Sequence, residues 1–262
     1  MSGPTYASYL GLDALLAARA PHTGRHDELL FITIHQAKEL WLRQILDELD
    51  VAQAAIEAGR LSESYKHLAR VSRVQAVLTL SWDVLTTMTP ADYSSFRAAL
   101  GQSSGFQSDQ FRAIEFRLGL KDPAHLRFHE DRPLAKAGLE AALARPSLYD
   151  AALYQLARAG APLPAAVLER DVRLPYAASH EVEDAWAEVY QNTARFWDLY
   201  ELAEKLVDID DALSTWRYKH VLTVERIIGA KRGTGGTEGV GYLQATLKRR
   251  CFPELWSVRT RL

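Results

Sequence analysis

One cysteine, Cys251, and two methionines are all the sulfur that 262 residues contain. A lone thiol excludes an internal disulfide and a cysteine-built zinc site, and it fits a reducing compartment. A surplus of charge of one sign is also missing: 31 Lys and Arg against 33 Asp and Glu leave −2. That balance removes the electrostatic ground for a nucleic-acid or anionic-membrane partner. No apolar run approaches membrane length, and the opening Met-Ser-Gly-Pro-Thr-Tyr lacks a basic stretch followed by an apolar core. The expectation is a soluble, cytoplasmic protein. Alternating strand patterns, internal repeats and low-complexity tracts are absent too. What is plentiful is aromatic surface: six tryptophans and eleven tyrosines suit a well-filled core and equally a flat ligand.

The apolar residues recur at helical spacing almost throughout. Tyr6, Tyr9 and Leu10 open a short segment, and Asp13 to Ala18 continues it as a helical stretch that reads, by itself, as an amphipathic helix docking on the body. Asp27 and Glu28 mark the start of a long helix whose apolar positions run Leu30, Phe31, Ile34, Leu42, Ile45, Leu46, Leu49, with Gly59 as its stop. A second long helix is predicted from Glu63 to Met88 on the stripe Leu68, Val71, Val74, Leu78, Trp82, Leu85. Thr89 and Pro90 read as cap and first turn of a third, which ends at Gly101, and another spans Gln107 to Leu118. Prolines break Lys121 to Pro175 into short helical pieces, where His125 and His129 read as part of a solvated face. The longest pattern covers His180 to Val207, with Asp208-Ile209-Asp210 as an interruption before the helix that carries His220. The fold class is all-α, a single-domain helical bundle over residues 1–262.

Chemistry concentrates in a few places. Phe31 and His35 are four residues apart and share a helix face. Tyr93 and Arg97 do the same and, turned inward, would offer a hydroxyl and a planar fork to a carboxylate. From Trp216 to Leu243 an apolar helical run holds His220, a glycine loop spans Gly233 to Gly236, and a second helix starts at Val240. Each histidine alone is compatible with a hydrogen-bonded structural role as well as with a pocket.

Taken together, four blocks carry more: FITIHQAKELW (31–41), FRAALGQSSGFQSDQFR (96–112), WRYKHVLTVERIIGAKRGTGGTEGVGYL (216–243) and FPELWSVRT (252–260). In this order they resemble the tryptophan 2,3-dioxygenases, haem enzymes that open the indole ring of tryptophan, and the resemblance runs from about Thr5 to the C-terminus. It implies a b-type haem, ferrous when active, enclosed by the bundle, with His220 as proximal iron ligand and Trp82 and Gly105 bordering the haem. Phe31 would pack on the indole, His35 would accept a hydrogen bond from the indole N–H, and Tyr93 with Arg97 would engage the carboxylate. Thr234 would contact the amino-acid end of the substrate and help order the glycine loop. Tyr6, Tyr9 and Leu10, within residues 1–20, would reach over a neighbouring subunit's active site, which implies a homotetramer, a dimer of dimers. The partners would be L-tryptophan, or a substituted tryptophan, and O₂, with N-formylkynurenine as product in tryptophan catabolism by the kynurenine pathway.

Two departures from the common bacterial pattern accompany the match. Ile34-His35-Gln36-Ala37-Lys38-Glu39-Leu40-Trp41 stands where Gln-His-Gln-Thr-Ser-Glu-Leu-Trp is usual, and Arg25 replaces the first histidine of a His-His-Asp-Glu segment. Both lie near the substrate positions. They leave open a second reading, a haem monooxygenase of the same fold acting on a substituted, for example β-methyl, tryptophan in natural-product biosynthesis; a third, a non-enzymatic haem- or tryptophan-binding sensor, is opposed by the retained Arg97 and His35.

Overall fold

Apolar residues every three to four positions dictate helices, and in the computed structural model, which describes residues 3–231 and 239–262, every regular element is helical. In chain order these are α1 (Tyr6–Leu10), α2 (Leu12–Ala17), α3 (His26–Glu57), α4 (Leu61–Leu85), α5 (Pro90–Phe96), α6 (Asp109–Arg117), α7 (Pro133–Ala144), α8 (Leu148–Arg158), α9 (Ala165–Leu168), α10 (His180–Gln191), α11 (Trp197–Ile228), α12 (Val240–Thr246) and α13 (Pro253–Ser257). Short 3₁₀ turns cover Arg97–Leu100, Gly105–Gln107, Pro123–His129 and Val258–Arg261. None of these helices is long and apolar enough to cross a membrane.

The cap signals work as expected. Thr89 accepts from the Asp92 amide while the Asp92 carboxylate accepts from the Thr89 amide, so both orphan donors at the start of α5 are satisfied. Gly229 stops α11 at φ 62°, a conformation that side chains with a Cβ avoid.

The two most extensive helix pairings are α3 with α4 and α4 with α11, whereas α3 and α11 scarcely touch each other. Helix α4 therefore forms the floor of a trough whose walls are α3 and α11. Its whole predicted stripe, Leu68 through Leu85, is buried. The main core continues from there through α6, α8, α10 and α13. Around the trough a smaller cluster forms on its own, of Ile34, Trp82, Leu85, Met88, Phe96 and Ile227.

Three expectations need correction. The long pattern does not break at Asp208-Ile209-Asp210: α10 ends at Gln191, and α11 runs unbroken from Trp197 to Ile228. Tertiary partners explain it. Buried Asp210 accepts from the backbone N–H groups of Cys251 and Phe252 and from the Trp256 indole N–H, so the acid that looked like a breaker is a clamp for the C-terminal FPELW block. His125 and His129 are not on a solvated face either; both are buried, His125 accepting from Arg112 at 3.3 Å and lying 5.3 Å from the Phe106 ring. Finally, α1 and α2 do not dock as an amphipathic helix, since neither buries a residue.

Replacing Asp210 by alanine leaves two buried amides and an indole N–H without an acceptor. A loss of about 3 kcal/mol in unfolding free energy is expected, at one to three kcal/mol per orphaned donor with partial relaxation. A urea midpoint close to that of the unaltered protein would show that the clamp contributes little.

Candidate active site

Between the two walls lies a cavity of about 250 Å³. Helix α3 supplies Phe31, His35 and Lys38, α4 supplies Leu78, Trp82 and Leu85, and α11 supplies Trp216, His220 and Ile227. Gly105 and Phe106 close one side, and Tyr93 reaches in from α5. The structure thus gathers Phe31, His35, Trp82, Tyr93, Gly105 and His220 around one space. Arg97 joins through Tyr93, whose hydroxyl it hydrogen-bonds, although α5 has by then tightened into a 3₁₀ turn. Tyr6, Tyr9 and Leu10 are not brought in; they stand exposed on α1. Thr234 and Gly233 to Gly236 fall outside the described residues.

His35 is fixed by its own helix. Its Nδ1 lies 2.7 Å from the Phe31 carbonyl oxygen one turn back, and only an N–H can make that bond. Burial, reinforced by the Lys38 charge, pushes its pKa down to about 4. A neutral ring with Nδ1 protonated leaves Nε2 as a bare acceptor at the cavity. Phe31 packs on it with ring centroids 4.1 Å apart and touches Tyr93 and Phe96 in turn. Burial also raises the Tyr93 hydroxyl, with Arg97 opposing, so it stays a phenol.

His220 faces the same space from α11. Burial, with Lys38 adding to it, lowers its pKa to about 3, and no hydrogen bond engages it among the described residues. Its ring is stacked on Trp82 at 4.5 Å and 11°. An imidazole kept neutral and left without a protein partner is the state that binds a metal. Among the described residues three buried donors nearby also lack an acceptor, the Trp82 and Trp216 indole N–H groups and the Lys38 ammonium. Flat aromatic and apolar walls, a neutral ligating nitrogen and unmatched donors fit a planar, apolar group with polar appendages. They fit a haem.

Several residues here escaped sequence reasoning. Glu115 is held between Arg112 at 2.6 Å and Arg217 at 2.9 Å, all three buried at the cavity edge. Lys38 was noticed only as a departure from pattern. The available signal was positional: Lys38 is three residues after His35 and Arg217 three before His220, so each falls on the inward face of its helix.

The whole chain, residues 1–262, matches the family model described as tryptophan 2,3-dioxygenase. A protein of Caulobacter vibrioides bearing that name is 64% identical over 98% of this chain and 98% of its own length. Namesakes from Erythrobacter litoralis and Bacillus cereus are 54% and 52% identical, each over 98% of this chain and over 97% and 92% of their own.

The His35 geometry makes a direct prediction. Nitrogen-15 shifts of its ring should report Nδ1–H with Nε2 unprotonated throughout pH 6 to 8, with proton uptake only as pH falls toward about 4. An Nε2–H tautomer, or titration near 6.5, would contradict it.

Proposed function

The chain belongs to the tryptophan 2,3-dioxygenase family, and from that premise we propose that the cavity between α3, α4 and α11 holds haem b and L-tryptophan and that the protein adds both atoms of O₂ across the indole 2,3 bond. The carbon–carbon bond is cleaved, two carbonyls form, and the product is N-formylkynurenine. The observation that carries this reading is the pair of neutral imidazoles facing one buried cavity, His35 with a free acceptor and His220 with no hydrogen-bond partner among the described residues. A single-oxygen reaction on a substituted tryptophan is not favoured, because the relatives along the whole chain are named as tryptophan 2,3-dioxygenases.

His220 would be the iron ligand, with Trp82 and Gly105 against the haem. Ferrous haem, once bound, supplies the O₂ chemistry. The chain's own task is placement. Phe31 stacks on the indole, His35 Nε2 accepts the indole N–H, and the Tyr93 hydroxyl with the Arg97 guanidinium holds the carboxylate. Thr234 takes the amino-acid end. No proton has to leave the substrate through a side chain, which suits a histidine whose basicity burial has removed.

Tyr6, Tyr9 and Leu10 are 78%, 79% and 45% exposed on a segment that buries nothing of its own chain. They close the cavity of a second copy, in a homotetramer working in the cytoplasm.

The test of function is reconstitution with haem under reducing conditions and assay for N-formylkynurenine. His220→Ala should lose native haem ligation and turnover, by about a hundredfold or more; a variant that kept both would refute the ligand assignment. His35→Ala should lower kcat/KM by about 10-fold to 100-fold, the factor corresponding to ~1.5–3 kcal/mol for one well-placed hydrogen bond. With His35 already neutral, kcat/KM should stay level from pH 8 to about 5.5 and fall only as protonation near pH 4 removes the acceptor. A fall centred near 6.5 would mean an ordinary, solvated histidine. Deleting the residues before Asp13 should reduce activity far more than melting temperature, and full activity in the truncated protein would refute the exchange.

A further inference from the structure

Among the described residues Lys38 is a cation without a hydrogen-bond or ion-pair partner. It is 7% exposed, and its Nζ, with three N–H groups to donate, finds no acceptor among the described residues. The nitrogen lies 3.0 Å from the centroid of the Trp82 ring. A ring face returns only part of what an ammonium loses on leaving water, and burial accordingly drives the Lys38 pKa down to about 7. The nearby carboxylates are committed elsewhere. Glu39 accepts from the Gln110 amide at 2.8 Å, and Glu115 is shared by Arg112 and Arg217. A buried charge in this condition calls for a counter-charge from outside the chain.

Where that counter-charge sits follows from order along α3. Phe31, His35 and Lys38 are successive positions on the inward face. Phe31 touches Tyr93 and Phe96, the end at which the substrate carboxylate meets Arg97. Lys38 is at the opposite end, against Trp82, which also contacts Trp216 and the stacked His220 ring. The ammonium therefore lies on the side of the iron ligand, away from the amino-acid end.

We infer that the Lys38 ammonium is the counter-ion of a haem propionate. In this chain a charged anchor stands where the common bacterial pattern has serine, and it ties the edge of the haem to α3 while His220 ties the iron to α11. The inference rests on the haem reading above.

Haem loss measures it. Wild-type, Lys38→Met and Lys38→Arg holoproteins are loaded with haem b or with its dimethyl ester, and transfer to excess apomyoglobin is followed at the Soret band. Lys38→Met should release haem b about tenfold faster or more, Lys38→Arg should retain it nearly as wild type does, and esterification should hasten loss from wild type but barely from Lys38→Met. Thermal unfolding without haem should move the other way: Lys38→Met should melt higher than wild type, because an orphaned charge is gone. A lysine needed only for folding would lower that melting temperature instead. Wild-type haem retention in Lys38→Met, or the same ester effect in both proteins, overturns the inference and leaves the haem reading intact. A raised KM for tryptophan with haem retention unaltered would assign the charge to the substrate, which also overturns it. If the wild-type protein takes up no haem through His220, the haem reading fails and the inference with it.

Discussion

The packing of one helix, α4, against both α3 and α11 is the constraint on which the rest depends. Because α3 and α11 lean on α4 without closing on each other, a trough remains whose lining is rich in apolar and aromatic side chains, with His35, Lys38 and His220 among the polar ones. Its depth sets the chemistry. Two histidines that would titrate near 6.5 in water are held neutral far below that, and an ammonium is left without a carboxylate partner among the described residues. A deeper, filled core would have left no room for a ligand, and an open groove would have returned both imidazoles to ordinary behaviour.

The trough also separates tasks along a single helix. Successive inward positions of α3 present a flat ring for stacking, an imidazole acceptor and a cation, over roughly two helical turns. The acceptor state of His35 is not a separate device; it follows from the helix itself, since the Phe31 carbonyl one turn back accepts from the Nδ1–H and so keeps the proton on that nitrogen. Helix α11 contributes the other imidazole and its aromatic support from the opposite wall. Few side chains are needed because each is locked by a neighbour on the same rigid element.

Much of this was legible in the sequence, for identifiable reasons. The α4 stripe is read from spacing alone because burial and helical period coincide over six residues, and the Thr89-Pro90 start is read because capping is local. The boundary between α10 and α11 was misplaced because Asp210 is satisfied by Cys251, Phe252 and Trp256, some forty residues away, and no local rule encodes that. His125 and His129 were misread for a similar reason: their neighbours are charged in sequence but Arg112 and Phe106 enclose His125 in space. The candidate site was legible only through four sequence blocks taken together. His220 alone carried no such information, and Lys38 acquired meaning only once the ring beneath it could be seen.

The most direct test of the account is the fate of labelled O₂. Ferrous, haem-loaded protein given L-tryptophan under ¹⁸O₂ should yield N-formylkynurenine carrying both heavy atoms, one on each side of the opened bond. A product with one labelled atom and an intact indole ring would contradict the central claim that this cavity performs a dioxygenation.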